Sequence, residues 1–297
     1  MKLSIVVLTY NQEKFVRTTL ESIVTQNTNY SYEVIIGDDA SSDNTPKIIL
    51  EYAHKYPQII RPVLRNENIG LIRNYFSLIS MCTGEYIMEC AGDDYWEKNK
   101  IDHQLKYMER HEDVSMVCGA VRIVDESGRY LKTTFFKNVN FEFRRLLKFN
   151  SVSALSVCFK KEVIDTYIAQ INPLNKSWKM EDYPFWLWIS KNGKIEYLPE
   201  PVGYYRVVNN SASNAMDINK QIEFEKSVYS VRKYFATDNR QRKKAISTYY
   251  VDVACIYMAH GDWKNYLRYA LKFHKIINIL KSPFRIIRYY TCKYAAK

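Results

Sequence analysis

The 297-residue sequence has no apolar run close to the roughly 18 residues that span a bilayer. It has no paired cysteines either: Cys82, Cys90, Cys118, Cys158, Cys255 and Cys292 are scattered, without the close spacing of zinc or redox motifs. Reduced, mostly buried thiols in a cytoplasmic protein are the expectation. A secretory leader is not expected. Lys2 precedes an apolar stretch from Leu3 to Leu8, but that stretch is short, and Asn11, Gln12, Glu13 and Lys14 follow it with no small-residue cleavage site. Internal repeats and low-complexity linkers are absent, and none of the five histidines adjoins a motif. Acidic residues are missing from one end: none follows Asp262, whereas nine Lys and Arg do. That gap explains the net charge of +11, because the other 34 basic residues face 32 acidic ones. The basic character belongs to a tail, which argues against a nucleic-acid partner.

What is present fits one large core with a smaller appendage: 47% of residues are apolar and 25% charged. Short apolar runs at Leu3–Thr9, Tyr32–Ile36, Ile59–Leu64, Glu85–Glu89 and Val114–Ala120 predict strands. Helical patterns at Glu13–Thr25, Asp43–Tyr56, Leu71–Met81 and Asn99–Arg110 separate them. This alternation predicts a mostly parallel sheet flanked by helices. Further on, Val121–Leu131 reads as a hairpin, Glu142–Phe149 as a short helix, Val152–Phe159 as a strand and Lys161–Ala169 as a helix. An aromatic-rich helix over Met180–Lys191 ends near Gly193, in the manner of a C-terminal glycine cap, and helices follow from about Ala215.

Ligands of parallel sheets bind beyond the carboxyl ends of the strands. Three predicted strand ends are polar: Thr9-Tyr10-Asn11, Gly37-Asp38-Asp39-Ala40-Ser41-Ser42-Asp43 and Gly92-Asp93-Asp94. Any one of these suits a turn or a helix cap. Two acidic pairs on one edge repel each other, which a cation would relieve, and hard cations take one or two carboxylates plus substrate phosphates. Asp93 and Asp94 are therefore the candidate metal pair. Glu181-Asp182 opens the aromatic helix, where a carboxylate can serve as a general base, although acids also favour helix starts for dipole reasons.

The ordered set closely resembles family-2 glycosyltransferases of the GT-A fold. It runs from Ser4-Ile5-Val6-Val7-Leu8-Thr9-Tyr10-Asn11 through Ile35 to Thr45, Asn66-Glu67-Asn68-Ile69-Gly70, Gly84-Glu85-Tyr86-Ile87 and Gly92-Asp93-Asp94-Tyr95-Trp96 to Glu181-Asp182 and Tyr205-Arg206. The resemblance implies an α/β, Rossmann-like GT-A domain over 1–214, with a donor-binding half at about 1–97 and an acceptor-binding half at about 98–214. A helical, basic region would follow over 215–297. The implied activity is inverting transfer from a nucleotide-diphosphate sugar, a UDP-sugar foremost, to an acceptor hydroxyl, assisted by Mn²⁺ or Mg²⁺, in polysaccharide or glycolipid biosynthesis. Thr9, Tyr10, Asn11, Asp39, Arg73, Asp93 and Arg206 would bind the donor, with Asp38 equally suited to bracing its loop. Asp182 would be the base, and Glu181, Trp178 and Trp186 would face a glycan or lipid-linked glycan acceptor. The family's metal motif usually carries a carboxylate where this chain has Ala91, and its closing loop often carries a His where Val207, Val208 and Asn209 follow Arg206.

In the tail, Phe284, Ile287, Tyr290 and Tyr294 recur at helical spacing, Arg285 and Arg288 share another face, and Ile276, Ile277, Ile279 and Leu280 precede them. Such an element suits either an anionic membrane surface, on the cytoplasmic face, or packing on the catalytic domain. Two rival readings remain at this level: a metal-dependent nucleotidyltransferase, and a catalytically silent membrane-surface binding protein with the same fold.

Overall fold

The computed structural model describes residues 1–136, 141–208 and 217–277, the side chains of 274–277 excepted. Two compact units emerge, one of residues 1–143 and 151–208, the other of 144–150 and 209–297.

The first unit begins as the alternation predicts. Strands β1 (Leu3–Thr9), β2 (Tyr32–Asp38), β3 (Ile60–Leu64) and β4 (Tyr86–Ala91) lie parallel in the order β3-β2-β1-β4. Helices α1 (Val16–Val24), α2 (Thr45–Lys55) and α3 (Leu71–Ile79) connect them. Both sheet faces are covered, which is why these strands are almost continuously apolar. Leu3, Ile5 and Val7 of β1 and Tyr86, Met88 and Cys90 of β4 share one core cluster with Val16, Leu20 and Ile23 of α1. Alternation puts Val6 and Glu89 on the opposite face, where Tyr75 of α3 donates a hydrogen bond to Glu89.

The rest of the sheet adds β5 (Tyr95–Trp96), β6 (Met116–Val124), β7 (Tyr130–Thr134), β8 (Val157–Lys160) and β9 (Ile195–Arg206). The full order is β3-β2-β1-β4-β8-β6-β9-β5, with β7 paired to β6. β6 and β9 run parallel, whereas β8 joins both β4 and β6 antiparallel. This order dictates a curl. In a flat sheet β4 and β5 would stand four strand spacings, about 19 Å, apart. The link from Ala91 to Tyr95 reaches at most about 14 Å. The sheet therefore bends back on itself, and Gly92-Asp93-Asp94 bridges the narrowing gap.

Helices α4 (Lys100–Arg110), α5 (Phe143–Leu146), α6 (Lys161–Ile171) and α7 (Asp182–Asn192) complete the elements before residue 209. Several sequence expectations need correction. The strand predicted from Val152 starts only at Val157, after a 3₁₀ turn at Ala154–Ser156, and the helix predicted over Glu142–Phe149 shrinks to α5. Gly193 is not a left-handed cap: its φ of −153° is extended. Its reason is space, since a Cβ there would lie 2.2 Å from Ser115 Oγ.

The second unit contains α8 (Ile218–Phe235), α9 (Asn239–Ala259) and α10 (Trp263–Ile277). Each is opened by an aspartate whose carboxylate accepts backbone N–H groups of the first turn: Asp217 from Asn219 and Lys220, Asp238 from Gln241, and Asp262 from Asn265. Val251, Ala254 and Cys255 of α9 pack on Tyr266 and Ala270 of α10. Among the described residues no helix is long and apolar enough to cross a membrane, and the five cysteines are buried thiols outside any disulfide. Cys292 and the predicted amphipathic residues beyond Ile277 lie outside the described residues, as does the loop Asn209–Asn214.

Candidate active site

The carboxyl ends of β1, β2 and β4 bring the first three motifs to one edge: Thr9 is in register with Asp38, and Leu8 with Ala91. Thr9 Oγ1 donates to Asp38 at 2.9 Å, and Asp38 also accepts the Ser41 N–H at 2.9 Å and hydroxyl at 2.6 Å. Asp38 thus braces its loop. Asn11, in a left-handed conformation with φ of 52°, accepts the Ser42 N–H at 2.9 Å and donates its own N–H to Ser41 Oγ at 2.8 Å. These bonds stitch the β1 and β2 loops together and leave Tyr10 52% exposed beside them.

Asp39 is buried, and its two oxygens accept the N–H groups of Ile69 and Gly70 at 2.9 Å each, at the start of α3. An anion at a helix N-terminus is well placed electrostatically. Arg73 follows one turn later and is exposed.

The Asp93–Asp94 turn is held from two sides. Beneath it, Thr19 Oγ1 of α1 lies 2.8 Å and 2.6 Å from the carbonyl oxygens of Gly92 and Asp94. Across it, Arg206 at the end of β9 donates its backbone N–H to Asp94 Oδ1 at 2.8 Å and its Nε–H to the Asp93 carbonyl at 2.9 Å. The same guanidinium lies over the Phe15 and Tyr95 rings, at 5.0 and 5.3 Å, and reaches the Glu126 carbonyl at 2.9 Å. Arg206 is buried and fastens the turn from this side. Burial pushes the Asp93 carboxyl up, against the pull of Arg206. Asp94 is raised well above the usual carboxylate range by burial and then by Asp93. Beside the turn, Gln12 Oε1 is buried without a hydrogen-bond partner, and a Cβ at Gly92 would come within 2.4 Å of it.

The second acidic pair opens α7. Glu181 and Asp182 are both half-buried; Asp182 Oδ1 accepts the Tyr183 N–H at 2.5 Å. Burial, and then Asp182, raises Glu181 to about 8. Sequence reasoning missed a third carboxyl. Glu89 is 6% exposed, bonded to Tyr75, and pushed well up by burial, with Glu181 and Asp182 adding to the rise. A charged residue inside an otherwise apolar strand was the available signal. Its neighbour Cys90, on the opposite face of β4, feels Asp94 and Asp93 instead. The fields of both acidic pairs thus meet along one strand. Trp186 is completely buried against Phe159 and Phe185, and Trp178 is 8% exposed, so the structure places both in the core rather than on an open platform.

Two carboxylates suffice for a hard divalent ion that keeps substrate phosphates as its other ligands. The pair fits on chemistry: its charge is opposed by burial and only partly balanced by Arg206. No group of three or more His, Cys, Asp or Glu placed to hold a metal ion occurs among the described residues.

A family model described as "Glycosyl transferase family 2" matches residues 4–161. The uncharacterised Mycobacterium tuberculosis protein Rv1520 is 36% identical over 210 residues, 69% of this chain, which spans 58% of the length of that relative. The Staphylococcus aureus poly(ribitol-phosphate) beta-N-acetylglucosaminyltransferase TarP is 25% identical over 297 residues, covering 95% of this chain and 86% of its own. Among solved structures, the Pyrobaculum calidifontis mannosyltransferase PcManGT, in complex with GDP-Man and Mn²⁺, has a TM-score of 0.62 at 16% identity, covering 100% of this chain and 81% of that one.

Proposed function

The chain belongs to glycosyl transferase family 2, and from that premise we propose that it transfers a sugar, with inversion, from a nucleoside-diphosphate donor to an acceptor hydroxyl. The observation that carries this reading is the placement of two acidic pairs around β4, one at the strand's carboxyl end and one at the start of α7. The nucleoside would lie over Tyr10, at the loops stitched by Asn11 and Asp38, with a UDP-sugar as the donor. Mn²⁺ or Mg²⁺, held by Asp93 and Asp94 when bound, would neutralise charge on the leaving diphosphate. TarP, an N-acetylglucosaminyltransferase by name, and the Mn²⁺ in the PcManGT complex support these assignments.

Asp182 is the proposed base. The acceptor oxygen bonds to the anomeric carbon from the face opposite the diphosphate, its proton passes to the Asp182 carboxylate, and the bond to the diphosphate oxygen breaks with its electron pair leaving on that oxygen. Glu181, raised to about 8, stays protonated near neutral pH and leaves Asp182 without a like charge beside it. Arg73, exposed on α3, adds positive charge on the donor side, and the acceptor is proposed to be a glycan or lipid-linked glycan.

Incubation with nucleotide sugars, Mn²⁺ and candidate acceptors tests the reading. Release of nucleoside diphosphate is expected, with Asp182→Asn slowing turnover by roughly 10²–10⁴-fold and leaving the melting temperature unchanged. Pyrophosphate chemistry in its place would identify a nucleotidyltransferase. Absence of any turnover across a broad panel would favour a silent binding protein.

A further inference from the structure

Helix α10 packs through Tyr266, Tyr269, Ala270 and Phe273, yet three of its largest apolar side chains point away from that core. Trp263 is 61% exposed, Leu267 57% and Leu271 61%. Spaced four residues apart, they drift by about 40° per step and form one stripe along a helix about 22 Å long. Lys264 and Arg268, both exposed, lie beside the stripe on the side away from the packed face. Lys272 is different, because its ammonium lies over the rings of Tyr269 and Tyr250, at 4.6 and 5.6 Å, and faces the protein. No acidic residue occurs in α10 or anywhere after Asp262, and the Asp262 carboxylate is occupied in capping the helix.

We propose that this face of α10 docks on an anionic membrane surface, Trp263, Leu267 and Leu271 entering the boundary between headgroups and acyl chains while Lys264 and Arg268 meet lipid phosphates. An apolar stripe flanked by basic residues and free of acidic ones is what an interfacial helix needs. The one-sided charge selects an anionic surface over a second copy of this chain, whose matching face would carry the same positive charge. The site differs from the tail residues that the sequence singled out, and it is independent of the catalytic reading, since vesicle binding requires no turnover.

Tryptophan fluorescence gives a local readout, because Trp96, Trp178, Trp186 and Trp188 are buried and Trp263 alone of the five is exposed. The full chain is mixed with vesicles of phosphatidylcholine alone, or containing phosphatidylglycerol, with brominated acyl chains as quencher. Binding to the anionic vesicles with quenching, weakened by high salt and reduced about tenfold or more in Leu267→Ser/Leu271→Ser, is expected. Lys264→Glu/Arg268→Glu, which spares the apolar stripe, should lose binding with an unchanged melting temperature. The proposal is overturned if the full chain ignores anionic vesicles, binds both kinds equally, or binds without quenching. It is also overturned if the Leu267→Ser/Leu271→Ser variant binds as the parent does, which would move the contact to residues 278–297. Self-association of the parent that this variant abolishes would assign the stripe to a second copy instead.

Discussion

Asp39 and Asp94 follow strands on either side of β1, and the fold treats the same side chain in opposite ways. Both oxygens of Asp39 receive backbone N–H groups at a helix start, whereas Asp94 receives one N–H from Arg206 and faces a second carboxylate. The sequence placed both at the right edge but could not show which amides would point at which carboxylate, because those amides come from residues 69–70 and 206. The contrast yields a prediction. Asp94→Asn removes a charge that burial opposes and keeps an acceptor for the Arg206 N–H, so it should raise the metal-free melting temperature at neutral pH while abolishing transfer. Glu181 gives a defined pH window. Its folded value of about 8 lies above the ordinary 4.5, so its stabilising contribution is complete below that ordinary value and is lost as pH rises toward 8. Thermal melts of Glu181→Gln and parent should therefore diverge between pH 5 and 8, with the parent falling behind by a few degrees, on the order expected for this chain size, and no further above that range.

At the scale of elements, the parallel half was legible because β1, β2 and β4 are buried on both faces and, with the half-exposed β3, read as apolar runs between helical patterns. β9 was not legible, since Pro199 and Pro201 interrupt its 12 residues. The strand accommodates them through register shifts against β6 around Gly119 to Val121. β5 has two residues, too few for any periodicity. Gly193 was recognised as a helix end but for a different reason, since backbone crowding against Ser115 leaves no trace in the local pattern. Gly193→Ala should cost roughly 1–3 kcal/mol by chemical denaturation, as overpacking does, and Ser115→Gly in the same chain should recover part of the loss.

For the whole molecule, the location of charge was informative where its sum was not: a body near neutrality carries the folded core, and the basic excess lies after Asp262. A nucleoside diphosphate with Mn²⁺ should raise the melting temperature of the parent in proportion to the logarithm of ligand concentration, with no such shift in Asp93→Asn/Asp94→Asn. The curl of the sheet has a consequence in time as well as in space. β5 pairs Tyr95 with Tyr204 and Trp96 with Gly203, and Arg206 closes over the turn from the same strand. The acidic turn and its Thr19 support are thus translated early, but the second fastening, by Arg206, comes only when residues more than a hundred positions later arrive. During synthesis, the chemistry waits for the clasp.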